Sequence, residues 1–158
     1  MVDALPHGVT FGGEGLAALG PADLAWLGDA LSRVVPMLPS PVARADVEFV
    51  LDARMRALHA RHLAVDETTD VMTFALNAPG EPVDADVAVC VDEARRRGGS
   101  LAHGARGELL LYALHALLHA CGHDDRDPAS HARMHAEEDR ILEAAGFGRL
   151  FEAGEGPA

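Results

Sequence analysis

The chain has 158 residues, 49% of them apolar and 24% charged, which suits one folded domain and excludes a disordered, collagenous or coiled-coil protein. Its net charge is −12 and all 13 basic residues are arginine, so general phosphate attraction is small and a nucleic-acid partner needs a local arginine patch or a metal ion. No stretch approaches a membrane span, Met1 to Thr10 has no basic start or apolar run, and Cys90 and Cys121 form no CxxC; the expectation is a cytoplasmic protein without disulfides, both thiols buried.

Val9 to Phe11 could form an edge strand. From Gly20 to Val35 the helical spacing of Leu24, Leu27 and Leu31 predicts a first helix, with Pro21 at its start and Pro36 as its stop. Val47, Phe49 and Leu51 alternate as a strand, and Ala53 to Arg61 follows as a helix with Met55 and Leu58 inward. Thr69 to Leu76 and Asp84 to Val91 are apolar on both faces, the pattern of interior strands, and the Asn77 to Gly80 turn between them predicts an antiparallel pair. Asp92 to Arg97 is a short helix closed by Gly98 and Gly99 in a left-handed turn. Gly107 to Cys121 is an almost wholly apolar helix that must be central, and Ala129 to Ala145 is a last helix with Met134, Ile141 and Leu142 inward. The expected architecture is α/β (α+β): a single domain over 1–146, about four strands in a small mixed sheet packed against helices, and a flexible tail over 147–158.

His115 and His119 stand four apart on the apolar helix, so both rings leave one face and can share a metal ion. Three such histidine pairs occur in the chain, which makes the spacing alone weak evidence. The surroundings carry more: imidazoles buried among leucines need polar partners, and a cation supplies one. Gly122 can turn the chain back, which brings Asp125 toward the rings as a third donor and leaves one position open, as in catalytic zinc sites. His123 and Cys121 compete for that third place, His123 inside the turn and Cys121 toward another side of the helix. The bland alternative is two satisfied core histidines beside a solvated HDDRD loop.

Ala116 occupies the place of the glutamate base of zincin peptidases, so proton transfer falls to another group, such as Asp124, or to the bound water. His131 and His135 lie among Arg133, Glu137, Glu138, Asp139 and Arg140, an exposed charged face. Arg95, Arg96 and Arg97 could grip phosphates or simply favour a helix C-terminus, and Asp70 and Asp86 are turn acceptors or partners of metal-bound histidines.

The segment HALLHACGHDD, from His115 to Asp125, resembles the H-G-x-L-H-L-x-G-Y-D-H motif of the YbeY family. Thr69 to Phe74 looks like that family's TDVLSF strand, and Ala85 to Cys90 like its GDIVIS strand, so the resemblance spans roughly residues 46–142. It implies a zinc-dependent endoribonuclease that cuts single-stranded RNA in the cytoplasm, matures the 3′ end of 16S rRNA and serves ribosome quality control on the ribosomal subunit. It also implies one Zn2+ held by His115, His119 and the residue at Asp125, where the family has histidine. The family's arginine before the TDV strand falls on Leu63, so no RNA-binding role is carried over there. The rival class is a ribosome-associated assembly or interaction protein whose acidic surface meets basic proteins and whose metal is structural or absent.

Overall fold

Strand β1 (Val9–Gly12) is followed by helix α1 (Pro21–Val34), where Pro21 sits in the first turn and needs no amide donor. Strand β2 (Val42–Val50) runs straight into α2 (Asp52–Leu63), and β3 (Val71–Ala75) and β4 (Val83–Cys90) form a hairpin. Helices α3 (Val91–Gly98), α4 (Gly104–Ala120) and α5 (Pro128–Ala144) follow. The structure is a computed structural model and describes residues 5–101 and 103–148.

The sheet has the order β1-β2-β4-β3, with β1, β2 and β4 parallel and β3 antiparallel to β4. Alternation along β4 sends Ala85, Val87 and Val89 into a large core shared with Leu27 and Leu31 of α1, Leu114 and Leu117 of α4, and Ile141 of α5. Ala88 and Cys90 point the other way, into a smaller core with Met55 of α2 and Met72 of β3. From Val87 to Cys90 the strand is covered on both faces and reads as continuously apolar, whereas Asp84 and Asp86 in its first half meet Arg44. The α/β architecture with four mixed strands is therefore present.

Some elements differ from their expectations. β2 begins at Val42, well before Val47, because Arg44 lies on the outer face and bonds Asp46, Asp84 and Asp86 at 2.6, 2.7 and 2.8 Å. Those charges hid the start of the strand. Gly99 is right-handed, with φ −61°, so the glycine pair does not close α3 by a left-handed turn. Gly98 serves close packing instead, since a Cβ there would lie 2.5 Å from the Gly104 backbone at the start of α4. Cys90 is buried but Cys121 only partly so. At the expected tail, Phe147 packs edge-on against Trp26 at 5.7 Å, and residues 149–158 lie outside the described residues. Among the described residues no helix is long and apolar enough to cross a membrane.

Candidate metal centre

The centre is built at the C-terminal end of α4. The main-chain N–H of Gly122 donates to the His119 carbonyl at 2.9 Å and that of His123 to the Leu118 carbonyl at 3.0 Å, the bond pair of a Schellman cap. Gly122 has φ +106°, and a Cβ there would stand 3.2 Å from the Pro79 side chain, so glycine is required twice over. The β3–β4 turn holds this end in place. Asn77 donates to the Ala120 carbonyl at 2.9 Å and accepts from the Asp84 N–H at 3.0 Å.

The cap returns the chain so that Asp125 meets both imidazoles. Asp125 Oδ2 lies 3.3 Å from His115 Nε2 and 3.4 Å from His119 Nε2, and the two Nε2 atoms are 3.2 Å apart. Three donors at 2.0–2.1 Å from a tetrahedral zinc ion would be separated by about 3.3 Å, so the triangle has the size of one face of such a shell. The His119 Nδ1–H donates to the His123 carbonyl at 3.0 Å, and the His115 Nδ1–H donates to Glu138 Oε2 at 3.2 Å. A carbonyl can only accept, so in the neutral ring the Nε2 lone pair of His119 faces inward, and the Glu138 carboxylate orients His115 likewise. Two inward lone pairs at that distance repel unless a cation or a proton lies between them. The donors and their geometry thus fit a divalent ion.

Glu138 is the residue the sequence reasoning missed. Its charged neighbours place it on an exposed face, yet it is 2% exposed, because it continues the inward stripe of Met134, Ile141 and Leu142 on α5. That spacing was the available signal. Its Oε1 lies 3.3 Å from His135 Nδ1 without the alignment of a hydrogen bond. Burial works against a charged His115, but the Glu138 bond and the charges of Glu138, Asp125 and Asp70 prevail and raise its pKa.

Among the described residues, His115, His119 and Asp125 are the group of histidine, cysteine and acidic side chains able to share an ion. His123 contributes its carbonyl rather than its ring, and Cys121 meets Ser40. His131 is exposed and meets the His135 ring edge-on at 4.4 Å. Asp124 is held by Arg126 at 2.8 Å, Asp86 by Arg44, and Arg96 by Asp52, none of them at the centre. Asp70 accepts from the Val71 N–H at 2.8 Å as a turn acceptor, and it also lines the cleft above the donors.

That cleft has a volume of about 700 Å³, within the roughly 300–1,000 Å³ of ligand sites. Its walls are His59, His62 and Leu63 of α2 and the length of β3, and its floor is His115, His119 and Asp125.

A four-stranded mixed sheet carrying a histidine–carboxylate cluster at the end of a buried helix, open to a cleft, defines a class of small α/β proteins with a candidate metal site. The chain belongs to the YbeY family: the family model described as endoribonuclease YbeY matches residues 27–146. It is 36% identical over 124 residues to the endoribonuclease YbeY of Anaeromyxobacter sp., covering 74% of this chain and 64% of that protein's length. It is 30% identical over 126 residues to the endoribonuclease YbeY of Nocardioides sp., covering 73% of this chain and 85% of that one. The solution structure of TM1509 from Thermotoga maritima shares the fold, with a TM-score of 0.62 at 24% identity over 94% of this chain and 96% of that one.

Proposed function

We propose that this chain is a zinc-dependent endoribonuclease that cuts single-stranded RNA, with His115, His119 and Asp125 as the ligands of one Zn2+. Its place is the maturation of the 16S rRNA 3′ end and ribosome quality control in the cytoplasm. Family membership supports RNA as the substrate, and the triangle of donors with sides of 3.2, 3.3 and 3.4 Å is the observation that carries the metal. Bound zinc supplies a water of lowered pKa and a Lewis acid for a phosphoryl oxygen. The protein's own part is positional: Glu138 and the His123 carbonyl fix the two rings, and the cleft admits an unpaired strand. Asp70, the other carboxylate lining the cleft, would be the protein group to accept the proton of such a water. Ala116 is 0% exposed and stands where a zincin peptidase needs its base, which argues against proteolysis.

His119→Ala removes one of the donors. It should lose bound zinc and lower the cleavage of single-stranded RNA by at least about a hundredfold, read by metal analysis and a gel assay on the same preparation. Full cleavage by the metal-free variant would refute the mechanism.

The acidic outer face of the sheet favours a second reading, in which the protein acts on the ribosomal subunit as an interaction partner. Asp46, Asp84 and Asp86 gather there around Arg44. Capture of ribosomal subunits by the metal-free variant, with no cleavage by the wild type, would select it.

A further inference from the structure

The cleft that opens above the donors has an unusual lining for a protein that meets RNA. Among its described lining residues there is no arginine, and Asp70 and Asp125 are both present. The nearest guanidinium on Asp70 is that of Arg97, 3.7 Å from its carboxylate and not part of the lining. Away from the metal donors, a phosphate backbone laid into such a cleft would meet a carboxylate rather than a guanidinium. The bases, which are neutral, would not.

What the cleft offers instead is a ring platform and a free strand edge. The His62 and Phe74 rings lie 4.8 Å apart, tilted by 60°, with His62 exposed at the end of α2 and Phe74 half-buried on β3. Leu63 beside them is 61% exposed. The edge follows from the hairpin register. Cys90 donates to the Asp70 carbonyl at 2.9 Å and Leu76 to the Asp84 carbonyl at 2.8 Å, and Met72 pairs with Ala88 and Phe74 with Asp86 between them. Bonded pairs alternate in an antiparallel ladder, so Thr73 and Ala75 turn their N–H and C=O groups away from β4. Among the described residues β3 has a strand neighbour on that one side alone, and Thr73 and Ala75 both line the cleft. His62 and Phe74 also wall a second hollow carrying Asp46, Glu48 and Asp86. A phosphate chain would be repelled there, so the platform marks the end of the strand's path.

We propose that His62 and Phe74 form a nucleobase-stacking platform and that the free main-chain groups of Thr73 and Ala75 hydrogen-bond the stacked base. RNA is thereby held by its bases, with the scissile phosphate at the metal donors and the other phosphates turned to solvent. This rests on the RNA-cleavage reading above and names how that site grips its substrate. It also explains why the strand must be single: only unpaired bases can be splayed onto a ring.

The test uses a five-nucleotide single-stranded RNA with one 2-aminopurine, its abasic counterpart, and the full-length protein. Binding by the wild type should quench the 2-aminopurine fluorescence, and the abasic strand should bind about 5- to 30-fold more weakly. His62→Ala should weaken binding to the same degree and remove the quenching, whereas His62→Trp should keep both. Because His62 is exposed on α2, its replacement spares the core, and unchanged zinc content and circular dichroism would establish this. Affinity should fall by less than about tenfold between 50 and 200 mM salt, as expected for one or two phosphate contacts. In turnover, the loss in His62→Ala should appear in KM rather than kcat.

Equal binding of the intact and abasic strands, or unchanged KM and quenching in His62→Ala, would overturn the platform while leaving cleavage standing. Base-dependent quenching without any cleavage would do the reverse. Failure of RNA to bind, with an extended peptide pairing along β3, would overturn the platform in favour of a peptide ligand.

Discussion

His115 and His119 hold their Nε2 atoms 3.2 Å apart while each Nδ1 is already engaged. Two acceptor atoms so placed are unfavourable in a partly buried site unless a positive charge lies between them. Glu138 decides how that positive charge is shared. In the ion-free protein it raises the pKa of His115 against the effect of burial, so the protonated ring adds stability at low pH that is lost as pH rises through the raised value. Cation binding needs the free Nε2, and so occupancy has the opposite sense: it falls as pH falls. Glu138→Gln removes the charge behind the ring and should raise the zinc dissociation constant at neutral pH about 10- to 100-fold, measured by chelator competition. An unchanged constant would reduce Glu138 to a buried acid without influence on the site. The convergence of His115, His119 and Asp125 was legible in the sequence because they belong to one apolar helix and the glycine turn that follows it. Glu138 comes from another helix, and its neighbours Glu137, Asp139 and Arg140 masked its inward position.

Among the elements, α4 is positioned from both ends. Gly98 lets α3 approach the start of α4, and the Schellman cap with Asn77 fixes its C-terminal end against the hairpin. α2 is tied to α3 by Arg96, whose two terminal nitrogens each lie 2.7 Å from Asp52. Asp52 opens α2 and Arg96 lies in the last turn of α3, so each charge also suits its helix end. Arg96 holds the Asp52 pKa at about 2, below the usual 3.8. A carboxylate depressed in the folded state contributes stability above its unfolded pKa and loses it as pH falls toward the folded value. Asp52→Asn should therefore be less stable than the wild type at neutral pH by roughly 1 kcal/mol, the scale of a solvent-screened pair. The difference should shrink between about pH 4 and pH 2, as followed by urea unfolding; a constant difference across that range would contradict the assignment. Helix α4 was easy to read because it is apolar all round, and the hairpin because Pro79 and Gly80 punctuate it. The first half of β2 was not, since Arg44 and Asp46 face water and find their partners on neighbouring strands.

At the scale of the molecule, a net charge of −12 sits on a protein whose family acts on RNA. The fold separates the two demands. The outer sheet face gathers Asp46, Asp84 and Asp86 around Arg44, whereas the cleft on the other side of the His62–Phe74 wall presents rings, a strand edge and the three donors. Sheet order and this cleft depend on contacts between distant segments, and so periodicity could indicate strands and helices but not what they enclose. Everything functional depends on the claim that His115, His119 and Asp125 bind one ion together. X-ray absorption at the zinc edge of the loaded protein, compared with Asp125→Ala, tests it most directly. One zinc per chain is expected, with two imidazoles and a carboxylate oxygen in its shell, and loss of that oxygen with weakened binding in the variant; a wild type that retains no zinc, or a variant with an identical shell and affinity, would contradict a shared site.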